Sequence, residues 1–260
     1  MSFPYERYET LAEPLTVYYP TGEETLARWL LQSIERGSRL LADLLDRPAP
    51  EMEIILVAPA DWEATPHTEP EELAHPHPYW TDATAPPSLV VPLEIDALFG
   101  DFTQEKLAYL LFHELGVAFL EADPRPYPGE APLWADEWQP KFAALWLMQQ
   151  VLGHTGIVNV DVSARYDDLF KPEADGKTPV TVRGFDWYED TSAEDYLAYA
   201  LLLEQLAADM LTQFDAGALP RFLALYRVNR DVLLSDEVTE LLGNALAPGG
   251  VEWLENLDYF

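Results

Sequence analysis

Residues 102–122 read FTQEKLAYLLFHELGVAFLEA, and this stretch decides what the rest of the chain can be. Thr103 suits the cap of a helix, and from Lys106 onward apolar residues occupy nearly every side of the helix it would start. A helix that is apolar all round is a buried one. At its centre stand His113 and Glu114, an ionisable pair in surroundings that penalise unpaired charge. After a Pro-rich connection, DPRPYPGEAP, residues 133–153 (LWADEWQPKFAALWLMQQVLG) predict a second apolar helix ending at Gly153. Pro140 suits a first turn, so this helix is expected to start within a few residues of Asp136.

Outward from these two helices the pattern changes. Toward the N-terminus, residues 15–19 (LTVYY), 53–59 (EIILVAP) and 88–92 (SLVVP) read as strands bounded by Pro and Gly. Between the first two, Leu26, Trp29, Leu30, Ile34, Leu40, Leu41 and Leu44 recur at three- and four-residue steps and predict a one-sided helix from Glu23 to about Arg47. Residues 60–87 form a long Pro-rich loop, and loops of that length inside a domain usually carry function. Toward the C-terminus, residues 158–187 show no long period and are expected to be irregular. Thr191, Ser192, Ala193 and Glu194 then spell a capping box before the apolar run DYLAYALLLEQLAADMLTQF. Shorter helices are expected at 219–228 and 236–246, before the terminal VEWLENLDYF. Strands first and helices afterwards is the order of an α+β fold with a helical C-terminal half.

The composition bounds the function classes. The chain has 260 residues, with 46 Asp and Glu against 15 Lys and Arg, a net charge of −31. That excludes a nucleic-acid partner, because holding a polyanion requires clustered cations. Apolar residues make up 48%, with 8 Trp, 13 Tyr and 11 Phe, enough for a substantial core. The absence of Cys removes disulfides, thiolate zinc sites and Cys nucleophiles. Any metal must use Asp, Glu or one of five His. The N-terminal residues show no signal-peptide pattern and no 18-residue apolar run occurs, so a cytoplasmic protein without a membrane partner is expected. Between residues 48 and 124 the one base is Lys106 against fifteen acids, a net −14. Such a stretch can select a cationic peptide or protein, or can serve solubility and salt adaptation. Arg221, Arg227 and Arg230 come close together on one short helix and its exit, where they are expected to be salt-bridge partners rather than a binding patch.

His113-Glu114-Leu115-Gly116-Val117 invites comparison with the HExxH zinc helix, in which two His four residues apart hold the metal and the Glu activates its water. Here the second position is Val117. Over most of its length the chain nevertheless resembles the gluzincin metallopeptidases, the thermolysin and aminopeptidase-like branch. The resemblance rests on the strand-helix-strand start, VPLEIDAL ahead of HELGVAFL, and PLWADEW opening the next helix like the family's W-x-x-E. It implies a zincin-like α+β fold, with a small mixed sheet and the HELGV helix in an upper subdomain, residues 1–123. A mostly helical lower subdomain, residues 124–260, would complete a cleft. It also implies His113 and Glu137 as zinc ligands, Glu114 as general base and Tyr196 beside the developing oxyanion, with Tyr188 and Tyr199 as neighbours. Nineteen residues separate Val117 from Glu137, and Asp136 is the alternative acid at that position.

The implied site is one ligand short of the three plus water that hydrolytic zinc requires. His154 cannot complete it, lying about 25 Å from Glu137 along a straight helix. His75 and His77, near Glu69, Glu71 and Glu72, read as part of an exposed acidic loop or as two imidazoles on one side of an extended segment. Three states stay open: a metal-free remnant with His113 held between carboxylates, a metal-bound site without peptidase activity, and a working peptidase. The expectation is a non-catalytic relative that binds a peptide or protein in the inherited cleft, with no cofactor, or zinc if any. The alternatives are a zinc-dependent peptidase with an altered ligand set and a structural or assembly partner.

Overall fold

In the computed structural model, residues 3–68, 73–126, 130–165, 180–185 and 192–260 are described. The chain divides into two compact units, Met1–Ala122 with Leu147–Gly153, and Asp123–Trp146 with His154–Phe260.

The first unit is built on a five-stranded mixed sheet in the order β1-β2-β3-β5-β4. β1 (Glu9–Leu11) runs antiparallel to β2 (Thr16–Tyr19), which lies parallel to β3 (Glu53–Val57). β3 is parallel to β5 (Ser88–Pro92), and β5 is antiparallel to the edge strand β4 (Tyr79–Thr81). Every residue of β3 and β5 is buried, which is why both read as unbroken apolar runs: parallel central strands are covered on both faces. Ile55, Val57, Tyr79 and Val90 share one face with Phe3 and Trp62. α1 (Glu24–Leu45) contacts β2, and α2 (Gln104–Glu121) contacts β4 and β5. α1 approaches α2 closely at Gly37, where a Cβ would stand 2.9 Å from Leu115 Cδ2. Thr103 caps α2 as expected, accepting from the Lys106 amide at 3.1 Å.

Two short strands escaped the sequence reading. β4 lies within residues 60–87, and β1 precedes the first expected strand. Three residues are too few to show a period.

The second unit is helical, with α3 (Trp134–Leu147) at its core. Trp134 and Trp138, four residues apart, share a helix face, and both are fully buried. Trp138 packs edge-on to Phe142 and Phe222, with centroids 5.6 and 5.1 Å away. α3 starts two residues before Asp136, which leaves Pro140 inside the helix rather than in its first turn. The start is displaced because Leu133 and Pro132 already accept from the amides of Glu137, Asp136 and Ala135. A π-helical turn, Met148–Leu152, continues α3 and ends at Gly153, whose φ of 71° is left-handed.

α4 (Val160–Arg165) falls where an irregular chain was expected. α5 (Ala193–Gln213) is capped one residue later than the capping-box reading had it: Ser192 Oγ accepts from the Asp195 amide at 3.0 Å, and Thr191 lies outside the described residues. α6 (Ala218–Arg227), α7 (Ser235–Leu246) and α8 (Gly250–Glu255) complete the unit. α7 and α8 touch backbone to backbone: a Cβ on Gly243 would lie 2.6 Å from the Val251 amide nitrogen. Among the described residues no helix is long and apolar enough to cross a membrane.

Candidate functional site

His113 and Glu114 sit mid-way along α2 because the surrounding apolar residues carry the helix into the core of the first unit. Their side chains keep 24% and 14% exposure, so both reach the edge of that core. His113 Nδ1 lies 2.8 Å from Glu114 Oε1. The other carboxylate oxygen, Oε2, accepts a hydrogen bond from the backbone amide of Trp80 at 3.0 Å. Trp80 is the middle residue of the edge strand β4, and this amide donates to α2 instead of to a neighbouring strand. Both oxygens of Glu114 are thus taken, one by its neighbour on the helix and one by the sheet edge. Val117, one turn further on, is half-buried.

Asp136 and Glu137 occupy the first turn of α3. Asp136 Oδ2 accepts from the Tyr226 hydroxyl at 3.0 Å and Oδ1 from Gln139 Nε2 at 3.3 Å. Desolvation by the surrounding protein nevertheless raises the pKa of Asp136. Glu137 is raised for the same reason, with repulsion from Asp136 adding to it and attraction by Lys141 opposing it. Burial and the charge of Glu137 together push Tyr196 up to about 12 and raise Tyr199 further. Tyr196 is 39% exposed, whereas Tyr199 is fully buried and stacked on Phe185 at 4.1 Å. Tyr188 lies outside the described residues.

Of the residues singled out by sequence, the structure therefore brings His113 to Glu114 in one unit, and Glu137 to Asp136, Tyr196 and Tyr199 in the other. His75 pairs with Asp96 at 3.2 Å and His77 stacks on Phe99, so each imidazole is tied to the segment around residue 97. Glu69, Glu71 and Glu72 lie outside the described residues. The sequence reading missed Trp80, whose contribution is a backbone amide, and Tyr226, which is ninety positions from Asp136. It also missed Glu204, a buried carboxylate on α5 that accepts from the amides of Val158 and Asn159 at 2.5 and 3.1 Å.

No protein-family model matches the sequence, and no curated protein does. The backbone is similar to the structure of native yeast LTA4 hydrolase, with a TM-score of 0.51 and 11% identity over 97% of this chain and 38% of that one. The fold is zincin-like. At that identity the likeness extends to the fold and no further, and this chain spans well under half of the neighbour's length.

Whether a zincin-like helix can hold zinc depends on its donors. Here one face of α2 offers His113 and, a turn later, the apolar Val117. Glu114 is engaged on both oxygens. Among the described residues no three His, Asp or Glu are grouped so as to hold a metal ion. The donors present do not fit a hydrolytic zinc site, which takes three protein ligands and a water.

Proposed function

We propose that this chain is a non-catalytic, metallopeptidase-like protein that binds a peptide or protein partner. The observation that supports this reading is the engagement of both Glu114 oxygens, one by its neighbour on the helix and one by the sheet edge. A general base must be aimed at the water it deprotonates, whereas this carboxylate is oriented by the outer amide of β4 and by His113. The residue that would activate water acts as a strut between helix and sheet. The zincin-like fold supports the family side of the reading, and the fifteen acids in residues 48–124 favour a cationic partner.

Zinc titration by calorimetry, followed by incubation with unstructured peptides, tests it. The expected result is no stoichiometric zinc at sub-micromolar affinity and no cleavage, with Arg-rich peptides binding more tightly at low salt than neutral ones. Zinc-dependent cleavage abolished by Glu114→Gln would overturn the reading. Val117→His gives a positive control: two imidazoles at i and i+4 on α2 are expected to raise zinc affinity by about tenfold or more.

A further inference from the structure

The connection between α6 and α7 combines three features. First, three of its four aliphatic side chains face solvent, Val228 79% exposed, Val232 59% and Leu234 68%, while Leu233 is buried. Second, the backbone beneath them is clamped. Arg125 donates Nε–H to the Asn229 carbonyl at 2.9 Å, Nη2 to the Asp231 carbonyl and Nη1 to the Glu130 carbonyl at 3.0 Å. Its guanidinium also lies 4.9 Å from the centre of the Tyr226 ring, and the Leu233 amide donates to Glu130 at 2.8 Å. A guanidinium spent on backbone carbonyls holds the loop in one shape, so the aliphatic side chains are presented rather than left to collapse.

Third, the charges on this loop, Arg230 and Asp231, have no ion-pair partner among the described residues. Arg221 pairs with Asp215 and Arg227 with Asp123, as the sequence reading expected of these arginines. Arg230 does not follow them. Among the Lys and Arg whose side chains are described, it alone has no hydrogen bond or ion pair, although the chain carries 46 acids. The carboxylate of its neighbour Asp231 is likewise exposed, with no partner among the described residues. Residues 228–234, the connection itself, carry one Arg and one Asp, a net charge of zero in a protein of −31.

We infer that this loop is a self-association surface, on which a second copy of the chain docks about a two-fold axis. An isologous contact must be complementary to itself. Adjacent unpaired opposite charges meet that condition, because the two-fold sets Arg230 of each copy against Asp231 of the other. Val228, Val232 and Leu234 would then cover one another. The acidity of the chain as a whole repels a second copy, whereas residues 228–234 add no net charge to that repulsion. Three aliphatic side chains and a reciprocal ion pair make a small interface, so association is expected at roughly 10–500 µM.

Sedimentation velocity of the full chain over that range, in about 0.3 M NaCl where screening shortens the repulsion to roughly 6 Å, reads the outcome. A concentration-dependent dimer is expected. Arg230→Asp and Asp231→Arg should each weaken it by about tenfold or more, and the double exchange should restore it, since the pair is then re-formed with its charges reversed. Val232→Asp should abolish it. All three positions are exposed, and circular dichroism checks that each of the four variants is folded. A monomer throughout the range, or a dimer indifferent to these substitutions, would overturn the inference.

Discussion

Two glutamates at motif positions, Glu114 and Glu137, lie on consecutive helices of this protein, and they have met opposite fates. On α2, Glu114 accepts one hydrogen bond at each oxygen, from Trp80 and from His113. On α3, Glu137 is surrounded by Asp136 and two phenols, and its desolvation makes the charged form costly. The position that resembles a catalytic base is tied into the fold, while the position that resembles a metal ligand is crowded. Residue type at a motif position therefore says less than what occupies its lone pairs.

The strongest way to break the comparison is to remove what holds α3 in place. Trp138→Ala should cost about 3–5 kcal/mol, since a fully buried indole between Phe142 and Phe222 would leave a large cavity. Urea unfolding monitored by circular dichroism measures this, and a loss below 1 kcal/mol would show that the core refills. Next, Glu114→Ala should cost about 1–3 kcal/mol, because it strands the Trp80 amide on the sheet edge. Hydrogen exchange at Trp80 should accelerate, whereas Glu114→Gln, which keeps an acceptor, should protect that amide better. Unchanged exchange in both variants would show that the strut carries no load.

The smallest expected effect is at Glu137. Its pKa is raised, so the folded state disfavours its charge, and the carboxylate begins to subtract from stability as pH rises through its ordinary value of 4.5, the loss being complete above the raised value. Glu137→Gln should therefore melt higher than the parent near pH 7. The advantage should fade as pH falls and vanish below the ordinary glutamate value of 4.5, where the parent carboxyl is protonated in both folded and unfolded chains. An advantage that persists in acid would point to packing rather than charge.

How much of this was legible beforehand varies by element. β3, β5, α1, α2 and the later helices could be read from the residues, because each is long enough or apolar enough for its period to show. β4 could not, since three residues carry no period, and yet β4 supplies the amide that decides the state of Glu114. The α5 cap was misplaced by one residue because Thr191 and Ser192 are chemically equivalent there. Arg221 and Arg227 behaved as arginines in an acidic chain should, and Arg230 departed from them, with no ion pair among the described residues.

The sequence by itself determined the acidity, the absence of Cys, the two apolar helices and the missing second His, all of which are properties of residue identity and local period. Only the tertiary structure decided what Glu114, Glu137 and Arg230 do. A carboxylate or guanidinium takes its role from the groups within hydrogen-bond reach, and in this fold those groups come from Trp80, Asp136 and the Arg125 clamp, two of them on elements that no local pattern connects to it.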